Sequence, residues 1–188
     1  PIKWVVFDAE ANGLHPDKFY CLSYHDYEGT KGSLTDYEDI RNFFLKYDWY
    51  VGHNIRRWDL PNLERVVGIT IPKNIIDTLF LAWYLFPERE GKKYGLESFG
   101  EDYGVKKPVV IDWNNQTLEQ YIHRCEQDVE INYRLWLDQA DYLNDLYGSF
   151  SDSIPFLRYL DFKAYCAHLP EVSGWKVDLD KVGANLEK

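Results

Sequence analysis

Hydrophobic positions along the chain come first in short dense runs and later at helical spacing. Residues 4–8 are β-branched and aromatic up to Asp8, as in a buried strand, and Ala-Glu-Ala-Asn-Gly-Leu follows. Residues 19–27 and 31–34 read as two more strands joined by the turn Glu28-Gly29-Thr30, giving an antiparallel start of three strands. Asp36 is placed to cap a helix through about Leu45, with Ile40, Phe43 and Phe44 on one face. Trp49-Tyr50-Val51-Gly52 is a short buried strand, and a helix is expected from about Leu60 to Val67. Ile75-Ile76 reads as a brief strand, and a helix starting at Thr78 is stopped by Pro87. A charged loop at 88–93 precedes a short helix from Leu96 to Tyr103, and 104–116 is irregular. Thr117 caps a long helix reaching about Tyr147. Ser149 to Ser153 breaks the pattern, a final helix runs from about Ile154 to Leu169, and Pro170 to Lys188 reads as turn, short strand and helix start.

Strands first and helices later predict an α/β fold with a mixed sheet. The 188 residues suit one such domain with a short appendage. Hydrophobic residues at 45% and charged residues at 28% are those of a globular chain in water. No run of about 18 apolar residues occurs, so no membrane partner is expected. The start, Pro1 to Phe7, is charged too early for a secretory signal. Cys21, Cys125 and Cys166 are odd in number and far apart, which fits reduced thiols and a cytoplasmic setting. The net charge of −10 argues against a chain that grips nucleic acid by neutralising phosphates itself. Carboxylates that hold divalent cations reverse that local field, and a more basic attached domain would also supply a grip.

Three places carry candidate carboxylates. Asp8 and Glu10 lie two apart at the end of the first strand, so their side chains share one side and repel unless a cation sits between them. Asp59 opens a helix, where the helix dipole alone favours an acid. Asp128 lies inside the long helix with Arg124 one turn before it, so a surface ion pair is its simplest competing reading.

Taken in order, Asp8-x-Glu10 in Phe-Asp-Ala-Glu-Ala-Asn-Gly-Leu, then Val51-Gly52-His53-Asn54 leading to Trp58-Asp59, then His123 five residues before Asp128, resemble the DEDD exonuclease superfamily. Ile76-Asp77-Thr78-Leu79 and Leu96-Glu97-Ser98-Phe99 fit the same pattern, over roughly residues 2–145. The resemblance implies an RNase H-like fold and two divalent cations, Mg²⁺ or Mn²⁺, held by Asp8, Glu10, Asp59 and Asp128. The superfamily orients the attacking water with a Tyr four residues before the last Asp or a His five before it. The first position here is Arg124 and the second is His123, so the role falls to His123; Tyr121 is three positions off, and Arg124 is a candidate contact for the scissile phosphate. Leu14 corresponds to a wedge between terminal bases, and Asn12, Asn54 and Trp58 to further substrate contacts.

The segment from Gln127 to Trp136 narrows the likeness to exonuclease domains of phage-type family A DNA polymerases, and Leu169 to Asp178 resembles the entry to such a polymerase domain. This implies a 3′–5′ exonuclease domain over 1–148 and a helical extension over 149–188. The implied substrate is single-stranded DNA or a frayed primer 3′ end, and the implied partner a covalently linked or associated family A polymerase domain. A stand-alone RNase or oligoribonuclease of the same superfamily and a catalytically silent DNA-binding module are the competing readings. Trp58, Tyr20 and Trp113 are candidates to stack on bases; Arg56, Arg57, Lys92, Lys93, Lys106 and Lys107 are candidates for phosphates. His15 is a further phosphate candidate, and His53 is expected to make a structural turn hydrogen bond.

Overall fold

The computed structural model describes residues 2–89, 92–106, 108 and 116–186. Five strands form one mixed sheet in the order β3-β2-β1-β4-β5. β1 (Trp4–Ala11), β2 (Phe19–Asp26) and β3 (Lys31–Leu34) pair antiparallel, and β4 (Trp49–Gly52) and β5 (Ile75–Asp77) add parallel on the other side of β1. This is the α/β architecture expected from strands early and helices late.

Strand periodicity of two divides the core. Val5, Phe7 and Ala9 of β1 face one layer with α1 (Tyr37–Phe43) and α2 (Asp59–Val67), packing on Ile40, Phe43, Leu60 and Leu63. Val6 faces the other layer, where Val129, Trp136 and Leu143 of α5 (Leu118–Tyr147) and Leu157 of α6 (Phe150–Ser173) lie. Thr117 caps α5 in a reciprocal box with Gln120. α3 (Thr78–Leu85) and α4 (Leu96–Tyr103) pack beside α5 through Ala82, Leu96, Phe99, Ile131 and Leu135.

Two expectations about the C-terminal segment change. α6 begins at Phe150 rather than near Ile154, because Ser149 accepts from the backbone N–H of Asp152 and turns the supposed break into an N-cap. It also runs through Pro170 to Ser173, where Gly174 adopts a positive φ of 69° and ends it. No strand follows among the described residues; the tail goes directly to α7 (Leu179–Leu186), none of whose residues is buried. No described helix is long and apolar enough to cross a membrane.

Candidate active site

Asp8 and Glu10 stand at even positions of β1 beside Val6, on the face that α5 crosses. Asp128 sits on α5 and is buried. One carboxylate oxygen from each of Asp8, Glu10 and Asp128 lies within 4.8 Å of the others. Three anions at that separation fit a hard divalent cation, which takes oxygen ligands. A shift of register between Glu10 and Ala11 ends the regular β1–β2 pairing just past the acids.

Asp59 lies outside that group of three. It is buried in the first turn of α2, where Trp58 supplies no side-chain cap. A backbone hydrogen bond from Ala9 ties it to β1 between the other two acids. Burial first, then the charges of Asp77 and Glu10, push its pKa up to about 8. A carboxyl held this way gains most from a cation nearby.

Arg124, rather than His123, faces the acids. Its Nε donates to Glu10 Oε1 at 2.8 Å, with the two side chains 17% and 13% exposed. Residues 121, 124, 125 and 128 fall on one face of α5 by helical spacing, and His123 lies off it and is exposed. The Cys125 thiol touches Asp8, with Sγ 3.2 Å from its carbonyl oxygen and 3.5 Å from Oδ2.

Next to Glu10 opens a hollow of about 570 Å³ walled by Asn12, Leu14, Tyr20, Trp58 and Tyr121. Tyr20 and Tyr121 stack at 4.1 Å, and Leu14 is 80% exposed at the rim. Trp58 Nε1 donates to the Leu14 carbonyl at 3.0 Å, so the second motif holds the loop of the first. The Asn12 side chain is engaged within that loop: Oδ1 accepts from the N–H of Asp17 and Lys18, and Nδ2 donates to Asp17 Oδ1. Asn54 adopts a positive φ of 62°, and its Oδ1 is buried without a hydrogen-bond partner among the described residues.

The expected phosphate contacts divide. Arg56 is held on α6 by Asp161, and Arg57 by Glu171. Lys92 pairs with Asp102, while Lys93, Lys106 and His15 are exposed. Lys107 and Trp113 lie outside the described residues. His53 makes no local turn hydrogen bond among those observed; instead it joins distant segments, with Nδ1 2.9 Å from Thr78 Oγ1 and Nε2 2.9 Å from the Tyr94 carbonyl. Sequence reasoning missed Asp77 as an anchor, although its motif was noted. Its carboxylate accepts from the N–H of Asn54, Arg56 and Leu79 at 3.0, 3.1 and 3.1 Å.

No protein-family model matches this sequence. No curated protein is similar to it. Solved structures are. NrnC of Brucella melitensis bound to pGG is 20% identical over 93% of this chain and 87% of that one, with a TM-score of 0.64. NrnC with bound Mg²⁺ is 16% identical over 94% and 90%, at 0.63. The family B DNA polymerase of Pyrobaculum calidifontis is 18% identical over 86% of this chain, at 0.63. This chain spans 27% of that polymerase's length. At these identities the likeness establishes the fold alone, an RNase H-like mixed sheet flanked by helices.

Proposed function

We propose that the chain is a metal-dependent 3′–5′ exonuclease that removes nucleotides from a single-stranded DNA end. The observation carrying this reading is the convergence of Asp8, Glu10 and Asp128 within 4.8 Å, beside a hollow with aromatic walls. Asp8, Glu10, Asp128 and, behind them, Asp59 are the residues that would hold two Mg²⁺ or Mn²⁺ ions. The chemistry such ions supply is activation of a water and stabilisation of the leaving 3′-oxygen.

The chain's own residues then account for binding. The hollow receives the terminal nucleoside, with Leu14 at its mouth and Tyr20, Tyr121 and Trp58 as apolar walls that accept any base. The substrate contact expected of Asn54 has less support, since its Oδ1 is buried and Asn54 does not line the hollow. Arg124 supplies positive charge where a phosphate oxygen would lie against Glu10 and its neighbours. The water-orienting role that the resemblance implies for His123 has less support, since His123 is exposed and stands outside the carboxylate group.

The finer reading is a proofreading domain attached to a family A polymerase. It draws on the sequence likeness of 127–136 and 169–178. Exposed apolar side chains on α6 and the tail, among them Phe162, Val172, Trp175 and Leu186, support a further domain packing there. A stand-alone nuclease of short RNA is the second reading. It is favoured by the fold likeness to NrnC over 93% of this chain, since the solved structure of NrnC holds pGG.

Digestion of matched 5′-labelled DNA and RNA single strands, with Mg²⁺ or Mn²⁺, tests both. A ladder shrinking from the 3′ end, abolished by EDTA and in the Asp8→Ala/Glu10→Ala double variant, is expected. Preference for DNA over RNA selects the first reading, and the reverse selects the second. No shortening of either strand by folded protein overturns both.

A further inference from the structure

The loop at 53–58, between β4 and α2, delivers Trp58 and Asp59 to the site; His53, the buried Ile55 and backbone turns closed on the Asn54 carbonyl hold its ends, and Arg56 ties its middle to the rest of the fold. It begins with Asn54 in a left-handed conformation, which an L-residue adopts at a cost and keeps only when its surroundings enforce it. Two carboxylates do the enforcing, both acting on Arg56. Asp77 accepts the Arg56 backbone N–H at 3.1 Å and the Asn54 N–H at 3.0 Å. Asp161 accepts the guanidinium at two points, Nε to Oδ1 at 2.8 Å and Nη2 to Oδ2 at 2.5 Å. Asp161 belongs to α6, whose Leu157 and Ala164 are buried and lie with Asp161 against Ile75, Ile76 and Asp77 of β5. The Arg56 and Asp161 side chains are 13% and 16% exposed, so solvent screens the pair little.

We propose that Asp161 is a positioning residue of the nuclease reaction: through Arg56, it fixes from α6 the loop that carries Trp58 and Asp59. The proposal rests on the nuclease reading for its effect on turnover, but the holding of the loop is a property of this fold. It assigns α6 a part in the site although the helix contributes no carboxylate to it. The neighbouring pair, Arg57 with Glu171, lies in the same loop and on the same helix but is 36% and 45% exposed. It serves as the internal control, since exposed pairs contribute little.

The experiment compares the full chain with Asp161→Asn, Asp161→Glu, Arg56→Lys and Glu171→Gln. Turnover and KM on a single-stranded oligomer are measured together with amide hydrogen exchange. Asp161→Asn is expected to lower kcat at least 10-fold with KM within 3-fold, and to speed exchange of the 54–58 amides but not those of β1 and β4. Asp161→Glu, which keeps the charge, recovers part of the loss. Glu171→Gln stays within 2-fold of wild type. Should Asp161→Asn fail to fold, Arg56→Lys keeps the charge and removes the two-point fork, and the same selective loss is expected of it. Wild-type kcat with unchanged exchange at 54–58 in a folded variant overturns the proposal, as does faster exchange spread evenly over the sheet. If wild type cuts no strand, the nuclease reading falls, and the exchange pattern still decides whether Asp161 holds the loop.

Discussion

Arg124 and Glu10, 114 residues apart in sequence, meet in a 2.8 Å ion pair at the edge of the carboxylate cluster. The pair places a fixed cation among acids that otherwise repel one another. A cation confined there has two consequences: it steadies the acids when no metal is bound, and it supplies charge to a substrate phosphate.

Arg124→Ala is therefore expected to lower kcat about 100-fold, the scale of losing a directed charge at a transition state. His123→Ala should stay within about 5-fold, because the ring is exposed and stands outside the carboxylate group. Arg124→Tyr, which installs the Tyr that the DEDD resemblance would lead one to expect at this position, should retain more activity than Arg124→Ala. Single-turnover digestion checks all three. A large loss in His123→Ala with little in Arg124→Ala would reverse the assignment.

Leu14 and Trp58 should separate binding from stability. Leu14 is 80% exposed, so Leu14→Ala should leave the melting temperature nearly unchanged and raise KM several-fold. Trp58→Ala removes both a wall of the hollow and the hydrogen bond to the Leu14 carbonyl. A stacking contribution of about 1–3 kcal/mol corresponds to a loss of affinity of about 5- to 150-fold. Fluorescence anisotropy with labelled single strands measures it.

Without divalent cations, stability should fall as pH rises. Burial, then neighbouring acids, raise Asp59 to about 8, and burial raises Asp77 to about 6. A carboxyl raised on folding binds more protons native than unfolded, so its contribution is present below its unfolded value near 3.8 and lost as pH climbs through 6 to 8. In EDTA the chain should melt at a higher temperature at pH 5 than at pH 8.5. Added Mg²⁺ or Mn²⁺ should narrow that gap, because a cation favours the ionised acids. Equal melting temperatures at the two pH values would contradict this account.

Gly52, at the end of β4, has no room for a side chain. A Cβ there would collide with Ile55 Cγ2 and come within 3.2 Å of the Phe7 carbonyl oxygen. Gly52→Ala should destabilise by about 1–3 kcal/mol through overpacking, and should reduce activity because the loop to Asp59 starts here. Thermal melting and digestion of the same sample would reveal both effects.

Much of this molecule was legible in the sequence, for local reasons. Asp36 and Thr117 cap their helices as read, since capping is settled within three residues. The side shared by Asp8 and Glu10 follows from strand periodicity alone. The start of α6 was misread because Ser149 to Ser153 looked like a break in the pattern, whereas Ser149 caps the helix. The turn and short strand expected from Pro170 onward are not found among the described residues, because the helix continues through Pro170 to Ser173 and the tail passes straight to α7.

By itself, then, the sequence determined the order of the elements, the face of β1 that carries its acids, and the set of acids to consider. It could not determine which charges meet. Arg124 was read against Asp128, four residues away, and the fold turns its Nε to Glu10. Arg56 and Arg57 were read as phosphate contacts, and α6 takes both, across separations of 105 and 114 residues. The physical reason is that a long cation reaches whatever carboxylate the packing of β1, α5 and α6 brings near it. Only the closed fold sets that distance.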